Sequence, residues 1–202
     1  TISSLKFQAE KQEPFSVDEM ALLENEVENK DKIPLLEKLI IETLYQTGMR
    51  KAELCGLLLE NVDFSTSEIK LIGKGNKQRV VPLSEKLLND FHTYLLQRRP
   101  LEEFESYFFV NNKGKKLGER FVYSVVNKYL SIVTTKSKRS PHILRHSFAT
   151  HVLNKGAEIS KVKKILGHSS LASTQVYTQA NIEELKKVFN KAHPRGDKID
   201  DL

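Results

Sequence analysis

The chain has 202 residues, of which 39% are hydrophobic and 29% charged, which is enough apolar material to bury one well-packed core. No apolar run approaches the ~20 residues of a membrane span and no signal peptide opens the sequence, so we expect a cytoplasmic protein without membrane contact. The formal net charge of +6 favours a polyanionic partner, and the single cysteine, Cys55, excludes an internal disulfide framework.

The first predicted helix begins at a local capping signal. Ser16 and Glu19 have the spacing of a capping box. Phe15 and Met20 are placed to form a hydrophobic staple across the same helix start. A helix should therefore run from there to about Asn29.

A second helix is predicted between Pro34, which suits a first helical turn, and Gly48, which is a natural stop. Apolar residues recur at helical spacing between them, and a short helix from Arg50 to about Leu58 follows. We expect this helix pair to form much of the core.

Residues 68–83 predict a β-hairpin, because two short β-prone runs flank a glycine-rich turn at residues 73–77. Ser84 then opens a helix that reaches residues 98–99. The apolar run at residues 107–110 predicts a further short strand.

The remainder of the chain is predicted to be helical. The expected helices are 118–132, His142–Asn154, one capped by Ser160 and ending at Gly167, a short one carrying Tyr177, and a last one opened by a capping box at Asn181 and Glu184. The whole pattern predicts a mainly α fold with a small antiparallel β-sheet, an α+β domain.

One stretch, residues 141–177, carries side chains suited to chemistry on a phosphate. Arg145 follows His142 by three positions, so on a helix they share a face. Arg145 can grip phosphate oxygens with its planar fork, His142 and His168 can donate hydrogen bonds or move protons, and the phenol of Tyr177 can attack phosphorus. Each residue alone is more often structural, and the combination favours a functional site.

Three motifs in the chain resemble the tyrosine recombinase (phage-integrase) family, and within it the Xer-type site-specific recombinases. They are TGMRKAEL at 47–54, HILRHSFATH at 142–151 and LGHSSLASTQVYT at 166–178, and the resemblance covers nearly all of residues 14–195. It implies the catalytic-domain fold of that family and an enzyme that cuts and rejoins DNA strands through a 3′-phosphotyrosyl intermediate. It implies no cofactor, no metal and no ATP, and the sequence carries no metal-site motif of its own.

The resemblance also implies roles for two arginines and a lysine. Arg50 matches the first catalytic arginine, and Glu53 matches the acidic residue that commonly follows it. With Arg145, Arg50 would clamp the non-bridging oxygens of the scissile phosphate. Lys74, in the hairpin turn, matches the lysine that protonates the departing 5′ oxygen.

Three further matches complete the implied catalytic set. His142 matches the histidine that acts as acid and base, and His168 matches the position that hydrogen-bonds the phosphate. Tyr177 matches the nucleophile. All six catalytic positions of the family are therefore filled in this chain.

Basic residues around these motifs are predicted to contact the DNA backbone, with an ordinary solvated charged surface as the alternative. They are Lys77, Arg79, Lys136, Lys138, Arg139, Lys161, Lys163 and Lys164. Lys77 and Arg79 also compete with Lys74 for the role of the catalytic lysine.

The family resemblance implies a domain organisation and an assembly. Residues 1–13 would be the linker from an N-terminal core-binding domain, residues 14–180 the catalytic domain, and residues 181–202 a C-terminal helix and tail. The expected partners are a double-stranded DNA recombination site and three more recombinase subunits, in a homo- or hetero-tetramer. The apolar face of the last helix would dock on a neighbouring subunit or pack on its own domain, and the sequence favours neither.

Two other functions compete with the recombinase. A catalytically silent DNA-binding module of the same fold would have lost Tyr177 or an arginine, and neither is lost. A tyrosine-type topoisomerase shares the chemistry but relaxes DNA without exchanging strands. The motifs resemble those of Xer-type recombinases in sequence, which argues against a topoisomerase.

Overall fold

The computed structural model describes residues 13–29, 33–73, 75–167 and 179–197. The helices in these ranges are α1 Val17–Asn29, α2 Leu35–Thr47, α3 Lys51–Cys55, α4 Glu85–Gln97, α5 Glu119–Val133, α6 Pro141–Asn154, α7 Ile159–Leu166 and α8 Gln179–Ala192. The strands are β1 Val62–Asp63, β2 Glu68–Ile72 and β3 Gln78–Pro82. The predicted mainly α fold with a small antiparallel sheet is confirmed. In the part of the chain so described, no helix is long and apolar enough to cross a membrane.

The start of α1 forms as its sequence predicts. The backbone N–H of Ser16 donates to Glu19 Oε2 at 2.7 Å, and the N–H of Glu19 donates to Ser16 Oγ at 3.0 Å. Phe15 and Met20, the staple residues, are both buried. The helix ends at Asn29, as expected.

Helix α2 lies at the centre of the core, against α4, α5 and α6. Its buried face includes Leu39, Ile40 and Leu44, each of which stabilises the fold by roughly 1.5–3 kcal/mol. Gly48 ends the helix in the left-handed conformation, with φ at 62°, and its N–H donates to the Leu44 carbonyl. The short helix that follows spans only Lys51–Cys55 and buries the Cys55 thiol.

The sheet contains the predicted hairpin and one strand that the sequence does not reveal. Strands β2 and β3 pair antiparallel from Glu68 opposite Pro82 to Ile72 opposite Gln78, and β1 pairs with the outer edge of β2. The strand predicted at residues 107–110 is wrong. That run makes only isolated bridges at its two ends, because Phe108 and Phe109 are buried by packing on the ring of Phe91 rather than by strand pairing.

The last two described helices begin earlier than predicted. The carbonyl of Glu158 accepts the first helical hydrogen bonds of α7, so Ser160 lies inside that helix and does not cap it. Asn181 likewise lies within α8. Helix α8 packs on α6, α7 and β3, with Leu185 and Phe189 buried. In this single chain the apolar face therefore covers its own domain, and docking on a neighbouring subunit stays a prediction.

Candidate active site

Three of the six predicted catalytic residues meet at one pocket. The pocket has a volume of about 330 Å³ and is lined by Met49, Arg50, Lys51, Tyr123, Ser140, Pro141, His142 and Arg145. Arg50 comes from the junction of α2 and α3, and the other two catalytic candidates come from the first turns of α6. Lys74, His168 and Tyr177 lie outside the described residues.

Arg145 is a buried cation held by the ends of two helices. Its Nη1 donates to the carbonyl of Gly48, just past α2, and its Nη2 donates to the carbonyl of Leu166, the last residue of α7, at 2.6 Å. Burial, and then the charges of Arg50 and Arg79, lower the pKa of Arg145 to about 10. The side chain therefore stays charged at neutral pH, and its orientation is set before any ligand arrives.

Gly48 is required at its position for two reasons. Its φ of 62° lies in the left-handed region that favours glycine. A Cβ added there would come within 2.7 Å of both Leu166 Cδ2 and Phe148 Cδ1. Since its carbonyl also binds Arg145, the turn between α2 and α3 positions the buried arginine directly.

Arg50 is exposed but held by Glu53. Its backbone N–H donates to Glu53 Oε2 at 2.8 Å, and its Nη1 donates to Glu53 Oε1 at 3.2 Å. Burial by itself would raise the pKa of Glu53, but hydrogen bonds from Arg79 and the charges of Arg79 and Arg50 lower it. Glu53 is therefore a carboxylate at neutral pH and anchors the guanidinium at the pocket edge.

Arg79 does not occupy the position that the sequence predicts. It is 3% exposed, and it binds Glu53 with both ends of its fork, from Nη1 to Oε1 at 2.7 Å and from Nη2 to Oε2 at 2.6 Å. Its Nε donates to the Ile165 carbonyl at 2.8 Å. The predicted contact with a DNA backbone is wrong for this residue, because its guanidinium is already bound inside the protein.

The charges around the pocket suit an anion. Arg50 and Arg79 both bind the carboxylate of Glu53, and their positive charges also act on the buried guanidinium of Arg145. Positive charge therefore exceeds negative charge here, in a partly desolvated setting where electrostatic attraction is stronger than in water. A phosphoryl group is the kind of ligand that two guanidinium forks can bind in this way.

The histidines of α6 divide into two kinds. His142 and His146 are exposed, and His142 lines the pocket. His151 is buried, where its Nε2 donates to the Phe15 carbonyl at 2.6 Å and its Nδ1 accepts from the Tyr45 hydroxyl at 2.7 Å. Within the described ranges no group of three His, Cys, Asp or Glu side chains could hold a metal ion.

Two more of the predicted DNA contacts are engaged by carboxylates of the protein. Lys136 donates to the Pro14 carbonyl and to Glu19, each at 3.0 Å, while Lys161 pairs with Glu184 at 2.5 Å and Glu158 at 3.5 Å. The ammonium groups of both lysines are therefore paired within the protein, and each would have to leave its carboxylate to bind a phosphate. Of the remaining predicted contacts, Lys138, Lys163 and Lys164 are exposed, and Lys77 and Arg139 are half-buried.

The sequence also gives no warning of a buried polar cluster at the end of the described chain. His193 donates from Nε2 to the Tyr45 carbonyl at 3.1 Å and accepts from the N–H of Arg195 at 2.9 Å. Arg195 in turn pairs with Glu42 at 3.1 Å and Glu24 at 2.9 Å. The segment after α8 is thereby bound to α1 and α2, away from the pocket.

Comparison with known proteins identifies the family. A family model described as the phage integrase family matches residues 14–184, so the chain belongs to that family. It is 36% identical over 200 residues to tyrosine recombinase XerC of Thermodesulfovibrio yellowstonii, covering 96% of this chain and 66% of that protein.

Solved structures agree with this assignment. The crystal structure of XerA recombinase matches with a TM-score of 0.68 at 29% identity, over 87% of this chain and 62% of that one. XerH recombinase bound to its difH substrate matches in fold, with a TM-score of 0.70 at 24% identity, over 85% of this chain and 52% of that one. The chain thus spans between 52% and 66% of the length of these proteins.

Proposed function

We propose that the protein is a site-specific DNA recombinase that cuts and rejoins DNA strands through a 3′-phosphotyrosyl intermediate, acting in the cytoplasm without metal or ATP. The observation that carries the proposal is the single pocket in which Arg50, His142 and Arg145 meet. Membership of the phage integrase family supports it, and so does the name tyrosine recombinase carried by a relative that is 36% identical.

The proposed reaction is a transesterification at one phosphodiester. The hydroxyl oxygen of Tyr177 bonds to phosphorus and loses its proton to His142, while the bond from phosphorus to the 5′ oxygen breaks. Lys74 protonates that leaving oxygen. The 5′-hydroxyl of a partner strand then attacks the phosphotyrosine and releases Tyr177. One phosphate ester replaces another at each step, so bond energy is retained.

The two arginines would stabilise the pentavalent transition state. The guanidinium of Arg145 is fixed by two carbonyls and that of Arg50 is held by the Glu53 carboxylate, so both forks need little reorganisation when the phosphate arrives. His168 would add a hydrogen bond to a non-bridging oxygen. Loss of one such donor typically reduces turnover by about 10²–10³-fold.

Double-stranded DNA carrying a recombination site is the proposed partner, in a tetramer of recombinase subunits assembled through α8. The net charge of +6 and the exposed Lys163 and Lys164 support DNA binding. XerH, similar in fold, has been solved bound to its own difH substrate. Residues 1–13 would link this catalytic domain to a core-binding domain.

The test is covalent capture of DNA by Tyr177. The protein is incubated with randomly nicked fragments of the source genome, so that a short strand beside the cleavage point diffuses away and religation stops. Detergent-resistant protein–DNA adducts are then collected and sequenced. We expect the wild type to yield adducts at one defined sequence, and Tyr177→Phe to yield none.

A matched control is Tyr107→Phe, which removes a phenol hydroxyl outside the pocket and should leave adduct formation unchanged. Site-specific binding without any adduct from the wild type would favour a silent DNA-binding module. Adducts scattered over many sequences, with relaxation of supercoiled DNA, would favour a topoisomerase.

A further inference from the structure

Arg79 is a buried cation whose three guanidinium nitrogens all have partners. Its Nη1 and Nη2 bind the two oxygens of Glu53 at 2.7 and 2.6 Å, and its Nε binds the Ile165 carbonyl at 2.8 Å. The residue lies on β3, directly opposite Leu71 of β2, on the inward face of the sheet. It therefore connects the sheet to α3 through Glu53 and to the end of α7 through Ile165.

The first of these connections leads to the pocket. Glu53 accepts the fork of Arg79 and also binds Arg50 twice, through the backbone N–H at 2.8 Å and through Nη1 at 3.2 Å. Without Arg79, the carboxylate would be held only by the backbone N–H of Arg50 and by the exposed guanidinium of the same residue. Because the fork of Arg79 binds both oxygens of the carboxylate, those oxygens are fixed in position for the guanidinium of Arg50.

The second connection leads to the segment that carries His168. The carbonyls of Ile165 and Leu166, in the last turn of α7, are bound by Arg79 and Arg145 respectively. Gly167 follows in the left-handed conformation with φ at 73°, and a Cβ there would lie 3.1 Å from Cδ of Arg79. Arg79 thus fixes the point at which the chain leaves α7.

We propose that Arg79 is a positioning residue of the active site: it holds Arg50, through Glu53, and the end of α7, through Ile165, in the arrangement with Arg145 that clamps the phosphate. This inference rests on the proposed recombinase function. Arg79 itself touches neither DNA nor the reacting atoms.

The alternative, that Arg79 merely stabilises the fold, agrees poorly with its surroundings. Val80 and Val81, its neighbours on β3, fill their buried positions with apolar side chains. A buried ion pair is commonly replaced by packed apolar groups without loss of stability, so stability alone does not require one here. The contacts of this pair lead to the pocket at both ends.

The test compares Arg79→Gln with the wild type on the captured DNA sequence. We expect the single-turnover rate of adduct formation at saturating protein to fall by about 10²-fold, since misplacing a catalytic group by ~1 Å costs this much. The dissociation constant for the same DNA should stay within about 3-fold, because a buried side chain makes no phosphate contact. Lys86→Gln, which breaks an exposed ion pair of α4 with Glu24, is the matched control and should alter neither value.

The second measurement separates positioning from stability. If Arg79 acts through Arg50, then adding Arg79→Gln to an Arg50→Ala variant should lower the remaining rate by much less than it lowers the wild-type rate. Long single-turnover incubations make that small rate measurable. A merely structural role would instead reduce both backgrounds by the same factor.

Glu53→Asp provides a variant that keeps both charges and shortens the carboxylate arm, so it serves if Arg79→Gln does not fold. It should also slow adduct formation while leaving DNA affinity unchanged. The proposal is overturned if these variants cleave as the wild type, if the effects of Arg79→Gln and Arg50→Ala multiply, or if DNA affinity falls with no change in the saturated rate. A wild type that forms no adduct on any fragment would instead overturn the recombinase function itself.

Discussion

Replacing Gly48 by alanine should damage stability and activity together, because one backbone position both ends α2 and binds Arg145. An alanine at a φ of 62° costs about 1–2 kcal/mol in the left-handed region. The new Cβ would come within 2.7 Å of carbons of Leu166 and Phe148, which adds roughly 1–3 kcal/mol of overpacking. The free energy of unfolding should therefore fall by about 2–5 kcal/mol.

The chain contains a matched control for the steric part of this prediction. Gly156 also has a left-handed φ, of 88°, but a Cβ there would meet nothing within 4 Å. Gly156→Ala should therefore lose only the conformational cost of about 1–2 kcal/mol. Urea unfolding of both variants, followed by circular dichroism, measures the difference.

The rate of adduct formation is the second property that Gly48→Ala should change. The carbonyl of Gly48 would shift with the strained turn, and Arg145 would shift with it, so adduct formation should fall by about 10²-fold where the variant is still folded. Gly156→Ala should form adducts at the wild-type rate. Unfolding free energies of the two variants within about 0.5 kcal/mol of each other would refute the packing argument, since that is the spread of ordinary surface changes.

Two further predictions concern the buried charged groups. Arg145→Lys should slow adduct formation by about 10²-fold or more, because an ammonium cannot bind the Gly48 and Leu166 carbonyls and a phosphate at the same time. An unchanged single-turnover rate would contradict the proposed role of Arg145 in binding the phosphate. Burial lowers the pKa of His193 to about 3, so its contribution to stability is complete above the unfolded pKa of roughly 6.5 and is lost as the pH falls toward the folded value. The free energy of unfolding should thus decrease by roughly 1 kcal/mol between about pH 7.5 and pH 5.5. His193→Gln retains an N–H for the Tyr45 carbonyl and should reduce that decrease. If the variant shows the same pH dependence as the wild type, the decrease comes from other groups.

The sequence predicts the structure correctly where residues close together in the chain decide the conformation. The capping box of Ser16 and Glu19 forms, and Gly48 ends α2, because both depend on contacts within one turn. The facing of His142 and Arg145 toward one pocket follows from the helical period. The position of Arg50 beside them cannot be predicted from spacing along the chain, and only the family resemblance indicates it.

The errors arise where distant residues decide. The run at residues 107–110 is apolar because Phe108 and Phe109 fill the core, and burial alone does not supply a strand partner. Arg79 is predicted from sequence to contact the DNA backbone, whereas the structure buries it against Glu53 and the Ile165 carbonyl. The pairing of the two hairpin strands accounts for this burial. Arg79 lies opposite the buried Leu71, and directly opposed residues share a face of the sheet.

The pocket is built largely from helix ends, and this explains why buried arginines are tolerated there. The last carbonyls of a helix have no partner within it, and in α7 those of Ile165 and Leu166 are bound by Arg79 and Arg145. The cations thus receive acceptors that the fold must satisfy in any case, and the negative end of the helix dipole stabilises their charge. Stability and the proposed catalysis therefore depend on the same hydrogen bonds, so substitutions that free Arg145 from α7 should weaken both.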